Sequence, residues 1–174
     1  MGMQLIIVVE TNKKCNSDWI YIKDTIEHFY SIDNARTKLT PIYMDGKGKY
    51  RKKQREVEEY IKKYSRAADE NESHVIYCFD CDNYDINNED SSFLDEVSRY
   101  CQDNDYNLVW FCKDIESVYL KKKVDAVDKK KTAANFKANR MIDNISINSL
   151  NSQKYKVGTS NIVDVLDRYL KRKS

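Results

Sequence analysis

Three acids in this chain stand where an α/β protein can stage chemistry. Glu10 closes the apolar run Gln4–Val9 (QLIIVV), and Asp80 and Asp82 close the run His74–Asp82 (HVIYCFDCD). Side chains alternate along a strand, so Asp80 and Asp82 are expected on one side, about 7 Å apart. Carboxylates that close raise each other's pKa unless a cation lies between them. Ligation by oxygen alone suits Mg²⁺ or Mn²⁺. An Asp-x-Asp at a strand end also suits a solvated turn, and the acid ending the first strand is what favours a site. A third apolar run, Leu108–Cys112, is followed by Lys113, Asp114 and Glu116. Acids converging from these ends could hold divalent ions against a phosphodiester, orienting a nucleophile and stabilising the leaving oxygen.

Phosphate contacts have candidates too. Asp45–Lys49 (DGKGK) is a glycine-flanked turn that opens a run of cations, with Lys47 and Lys49 in it, and Lys13 lies in the loop after Glu10. A Gly/Lys loop before a helix can hold phosphate through backbone N–H groups and ammonium charge. The spacing is not that of a Walker A loop, and a solvated basic turn fits the same residues.

The elements that would position these groups alternate. Strands are expected at Gln4–Val9, Leu39–Met44, His74–Asp82 and Leu108–Cys112, with Pro41 marking an edge or a bulge. Helices are expected from Ser17 or Asp18 through Tyr30, after the cation run through Tyr64, from the Ser92-x-x-Asp95 capping box, and just after Asp114. This order predicts α/β architecture: a Rossmann-like, mainly parallel four-stranded sheet flanked by helices. Functional groups then gather at the C-terminal strand ends. Residues 1–125 form this unit. Residues 126–174 read as a helical extension packed on it, with a helix over Thr132–Ile142, a loop over Ile145–Val157 and an amphipathic helix over Asn161–Lys173.

The chain has 174 residues, only four Gly and one Pro, and 33% charged residues, which excludes collagen-like and loop-rich classes. Its net charge of +2 is unevenly spread: Asp69–Asp105 carries twelve acids and one base, and the remainder 29 bases against 16 acids. That asymmetry suits a basic surface for a polyanion around an acidic pocket, or simply a charged solubilising surface. Lys121–Lys131 fits either a nucleic-acid contact or an exposed segment. Cys78-x-x-Cys81 has the spacing of a zinc pair, but a strand turns the two thiols to opposite faces, so reduced buried thiols are the better reading. The N-terminus has neither the charged region nor the length of a signal peptide or membrane span, so a cytoplasmic protein is expected.

A strand ending in Glu, a second strand with a Gly loop, and a strand ending in Asp-x-Asp together resemble the Toprim domain of topoisomerases, primases and OLD-type nucleases. The VVE start, FDCD and VWFCKDIESVYL are most similar to its RloB-like branch, associated with prokaryotic defence against phage. The resemblance covers roughly residues 4–119. It implies Mg²⁺ chemistry on nucleic acid, with Glu10 as metal ligand or general acid/base, Asp80 and Asp82 as the metal-binding pair, and Glu116 as the acid after the fourth strand. Thr11 replaces the Gly that usually follows the glutamate, and the next acid, Asp18, comes eight residues on. A non-cleaving effector subunit working with an ATPase or another defence protein is the alternative; the chain carries no ATP-binding motif of its own. A response-regulator-like domain is a third reading: Lys113 is suitably placed, but the first strand ends in one acid rather than two.

Overall fold

The computed structural model describes residues 2–174. Its centre is the first apolar run, β1 (Met3–Val9), in which Leu5 through Val9 are essentially inaccessible to solvent. Such continuous burial follows from β1's place inside a five-stranded sheet. Alternation divides the strand between two cores: Leu5, Ile7 and Val9 face one, Ile6 and Val8 the other.

Along the chain, β1 is followed by α1 (Ser17–Phe29), a short β2 (Tyr30–Ser31) and β3 (Thr37–Tyr43). A 3₁₀ turn over Lys47–Lys53 leads into α2 (Gln54–Ser65), then β4 (Glu72–Asp80), α3 (Asn88–Asp103), β5 (Asn107–Cys112) and α4 (Ile115–Leu120). The remainder forms α5 (Lys129–Ala138), 3₁₀ turns at Met141–Asn144 and Ile147–Leu150, β6 (Thr159–Ser160), α6 (Ile162–Leu166) and β7 (Lys171–Arg172). The main sheet runs β3-β1-β4-β5-β6, parallel except for the antiparallel β6. Pro41 lies on the edge strand β3, where a missing N–H costs no inner ladder bond. Val57 of α2 and Val97, Tyr100 and Cys101 of α3 pack on one face. Residues of α1, α4, α5 and α6 cover the other, and Phe136, Leu150, Ile162 and Leu166 share their core with β1.

The alternating α/β order and the mainly parallel sheet are as expected, but the sheet has five strands rather than four. The added β6 is two residues long and pairs Phe111 with Ser160 and Cys112 with Thr159, too short for a hydrophobic pattern to announce. The expected helix over Asn161–Lys173 is corrected more sharply, because it stops at Leu166. Asp167 there accepts from the Tyr30 hydroxyl (2.9 Å) and from Arg172 (2.8 Å), and Lys171–Arg172 pairs antiparallel with Tyr30–Ser31. These long-range partners outweigh an apolar period that suits a helix. The helix expected over Thr132–Ile142 lies at Lys129–Ala138. The Ser92 capping box gives way to Asn87, whose side chain accepts from the Glu89 and Asp90 amides at 2.8 and 3.4 Å. Nor do Ser17 or Asp18 cap α1: left-handed Asn16 (φ 47°) precedes it, and both side chains are buried.

Candidate functional site

At the C-terminal edge of the sheet, neighbouring β1 and β4 bring Glu10 against Asp80. The parallel register pairs Val8 with Tyr77, and just beyond it the Asp80 amide donates to Glu10 Oε1 at 2.7 Å. Asp80 Oδ1 in turn accepts from the amide of Ile115, the first residue of α4, at 2.9 Å. Asp18 joins them from α1, its Oδ2 accepting from the Thr11 amide (3.1 Å) and its Oδ1 from the Ser17 hydroxyl (3.4 Å). Glu116 completes the group from α4, with 1% of its surface exposed. Lys129 of α5 supplies an ammonium 3.1 Å from Glu116 Oε2, yet neither Glu116 oxygen has a partner with hydrogen-bond geometry.

Asp18, Asp80 and Glu116 feel the Lys129 charge and Glu10 that of Lys47, yet the proton affinities of all four acids are raised. Burial pushes Glu10 up to about 8; the Asp80 amide works against the rise, Asp18 and Asp82 add to it, and Lys47 opposes it. Asp80 is raised well above the carboxylate range, by burial first and then by the Glu10 and Asp18 charges. Burial likewise raises Asp18 and Glu116, with Lys129 opposing in both. Burial would lower Lys129, but the Glu116 and Asp80 carboxylates outweigh it and raise the pKa.

Asp82 departs from the expected geometry. The strand ends at Asp80, and Asp82 takes a left-handed backbone (φ 49°) with its amide donating to Lys113 O at 2.7 Å. The two aspartates are therefore not successive same-side residues of one strand. Lys47 Nζ binds the Asp82 carboxylate at 2.5 Å, reaches Asp90 at 3.1 Å and lies 5.0 Å from the centre of the Phe93 ring. Lys47 thus sits at the rim of the acid cluster, as a partner for carboxylates. Lys49 pairs instead with Asp45 (2.8 Å) on the exposed turn, and Lys13 is exposed in the loop after Glu10. Lys113 pairs with Asp85 at 3.3 Å. Cys78 and Cys81 face different cores, and all five cysteines are free.

Sequence reasoning missed three members of this constellation. Asp18 reads as a helix cap, Asp90 as one of many acids in the Asp69–Asp105 stretch, and Lys129 as one lysine in a basic run. For Asp18 the available signal was its place in the first turn of the helix that follows the Glu10 strand. Nothing local marks the other two.

Among the described residues, no three His, Cys, Asp or Glu side chains are drawn together into one coordination shell. The donor set nonetheless fits a hard divalent cation in kind. Its oxygens are carboxylate, several are raised in pKa by burial and then by neighbouring carboxylates, and Glu116 is buried without hydrogen bonds. Comparison with protein-family models, with curated proteins and with solved structures gives no match. No helix among the described residues is long and apolar enough to cross a membrane.

Proposed function

We propose that this chain is a Toprim-type enzyme that hydrolyses phosphodiester bonds in nucleic acid with Mg²⁺ or Mn²⁺, in prokaryotic defence against phage. The carrying observation is the Glu10–Asp80 contact across adjacent parallel strands, with Asp18 close enough to add to the proton affinity of both and Glu116 to that of Asp80. Glu10 and Asp80 would hold the ion, each having one oxygen outside the hydrogen bonds that fix its carboxylate. Asp82 would join them on exchanging its Lys47 partner, which frees Lys47 for a phosphate oxygen. Glu116 keeps the Lys129 ammonium beside the cluster. The bound ion would supply charge neutralisation and a polarised water at neutral pH.

One observation favours a second reading, a non-catalytic effector subunit. Lys129 and Lys47 already give the acids cationic partners from within the chain. Calorimetric titration of Mn²⁺ and Mg²⁺ into the native protein and into Asp80→Asn separates the two, followed by incubation with single-stranded, duplex and supercoiled DNA and with RNA. The enzyme reading expects metal binding and cleavage that Asp80→Asn abolishes together. Absence of metal binding in the native protein overturns it in favour of the effector.

A further inference from the structure

Away from the acid cluster, a groove of about 910 Å³ runs beside the edge strand β3, bordered by α1 and by Tyr64 near the end of α2. Its lining is cationic and aromatic: Lys23, Arg36, Lys38 and Lys173, with Trp19 and Tyr64 among them. The lone acid in the lining, Glu27, is already held by Lys23 at 3.5 Å and Lys137 at 3.3 Å. Lys38 has no carboxylate partner among the described residues, and its ammonium lies 5.7 Å from the centre of the Tyr64 ring. The Lys173 ammonium donates only to the main-chain oxygen of Glu27, at 2.6 Å. Arg36 is exposed and pairs loosely with Asp33, at 3.7 Å. The groove therefore has positive charge to spare.

We infer that this groove binds single-stranded nucleic acid, with Arg36, Lys38 and Lys173 on the phosphates and Trp19 and Tyr64 against the bases. Cations spaced along a channel and interleaved with aromatic rings suit a flexible polyanion with flat, unpaired bases. The groove follows β3 from Thr37 to Pro41, about 13 Å of strand, enough for two or three nucleotides. A peptide strand added to the β3 edge fits less well, because Pro41 and Lys38 both blunt that edge. The direction is informative as well. Pro41 and Trp19 lie toward the C-terminal end of the sheet, and Trp19 follows Asp18 of the acid cluster. A strand in the groove would lead toward Glu10, and in this respect the inference rests on the reading proposed above.

Binding is tested without metal, so its failure is distinct from a failure of catalysis. Fluorescein-labelled dT₁₂ would be titrated in EDTA with the native protein, Arg36→Glu/Lys38→Glu and Lys122→Glu/Lys123→Glu, each checked for folding by circular dichroism. The double change in the groove is expected to weaken binding at least tenfold and to flatten the salt dependence by about one to two units of slope. Trp19→Leu, which keeps an apolar side chain, is expected to weaken it roughly fivefold or more. The Lys122/Lys123 change is expected to leave it intact. Loss through Lys122/Lys123 with no effect in the groove overturns the assignment, as does duplex binding tighter than single strand. Equal affinity for a poly-glutamate peptide overturns it in favour of an acidic protein partner. Groove-dependent binding by a protein that never cleaves leaves the groove standing and refutes the nuclease.

Discussion

Glu10 ties the stability of the protein to pH. Its pKa rises from 4.5 to about 8 in the fold, with burial the largest cause. Below the ordinary value the group is protonated whether the chain is folded or not, and nothing is lost. As pH rises toward 8 the unfolded chain releases the proton while the folded one retains it, so stability falls, and above about 8 the loss is complete. Asp80 and Asp18 act in the same direction. Thermal melts in metal-free buffer should therefore show Tm falling between pH 5 and 8.5, each kcal/mol lost appearing as roughly 2–4 °C. Glu10→Gln, whose amide oxygen can still accept from the Asp80 amide, should flatten that slope and raise Tm at pH 8. An unchanged slope would assign the effect elsewhere. Asp82 calls for a different substitution. Its left-handed backbone tolerates Asn far better than Ala, so Asp82→Asn reports the loss of charge and Asp82→Ala adds backbone strain. Glu10 and Asp80 were legible in the sequence because each ends an apolar run, and a parallel sheet fixes where such ends meet. Asp18, Asp90 and Lys129 were not, since their roles come from contacts across the fold that no local pattern records.

At the scale of elements, the start of α3 distinguishes a motif from a contact. Asn87→Ala removes an acceptor from two amides and should cost about 1 kcal/mol in denaturant unfolding. Ser92→Ala, on an exposed position inside the helix, should change stability by less than about 0.5 kcal/mol. The reverse ranking would restore the capping box. The long strands were readable because they are buried on both faces, which leaves unbroken apolar runs such as QLIIVV. The C-terminal segment was misread because Ile162, Val165, Leu166, Tyr169 and Leu170 suit a helix, and they are indeed apolar contacts of the core. Their backbone departs from helix after Leu166, where Asp167 meets Tyr30 and Arg172. A hydrophobic period predicts which side chains go inward more securely than it predicts the backbone that carries them.

For the whole molecule, burial joins the last fifty residues to the sheet. Ala133, Phe136, Leu150, Ile162, Val163 and Leu166 belong to the same buried cluster as Leu5, Ile7 and Val9. Chemical unfolding should therefore follow one transition in far-UV circular dichroism and in near-UV aromatic signals. Phe136→Ala should lower stability by about 3–5 kcal/mol while keeping a single transition. A chain ending at residue 125 should lose the near-UV signal of fixed aromatic packing. Two separate transitions in the full chain would mean that this region folds on its own.

The two tryptophans lie on different sides of the sheet's centre. Trp19 borders the groove at the β3 edge, while Trp110 of β5 is 7% exposed and packs against Tyr155. β1 and β4 separate the strands that carry these environments. The protein thus contains two intrinsic fluorophores, one partly exposed on a groove wall and one shielded in the interior. In Trp110→Phe, emission would come from the groove alone, and in Trp19→Phe from the interior alone. Acrylamide quenching of the two variants would then follow each region separately, without a label on either the protein or its ligand.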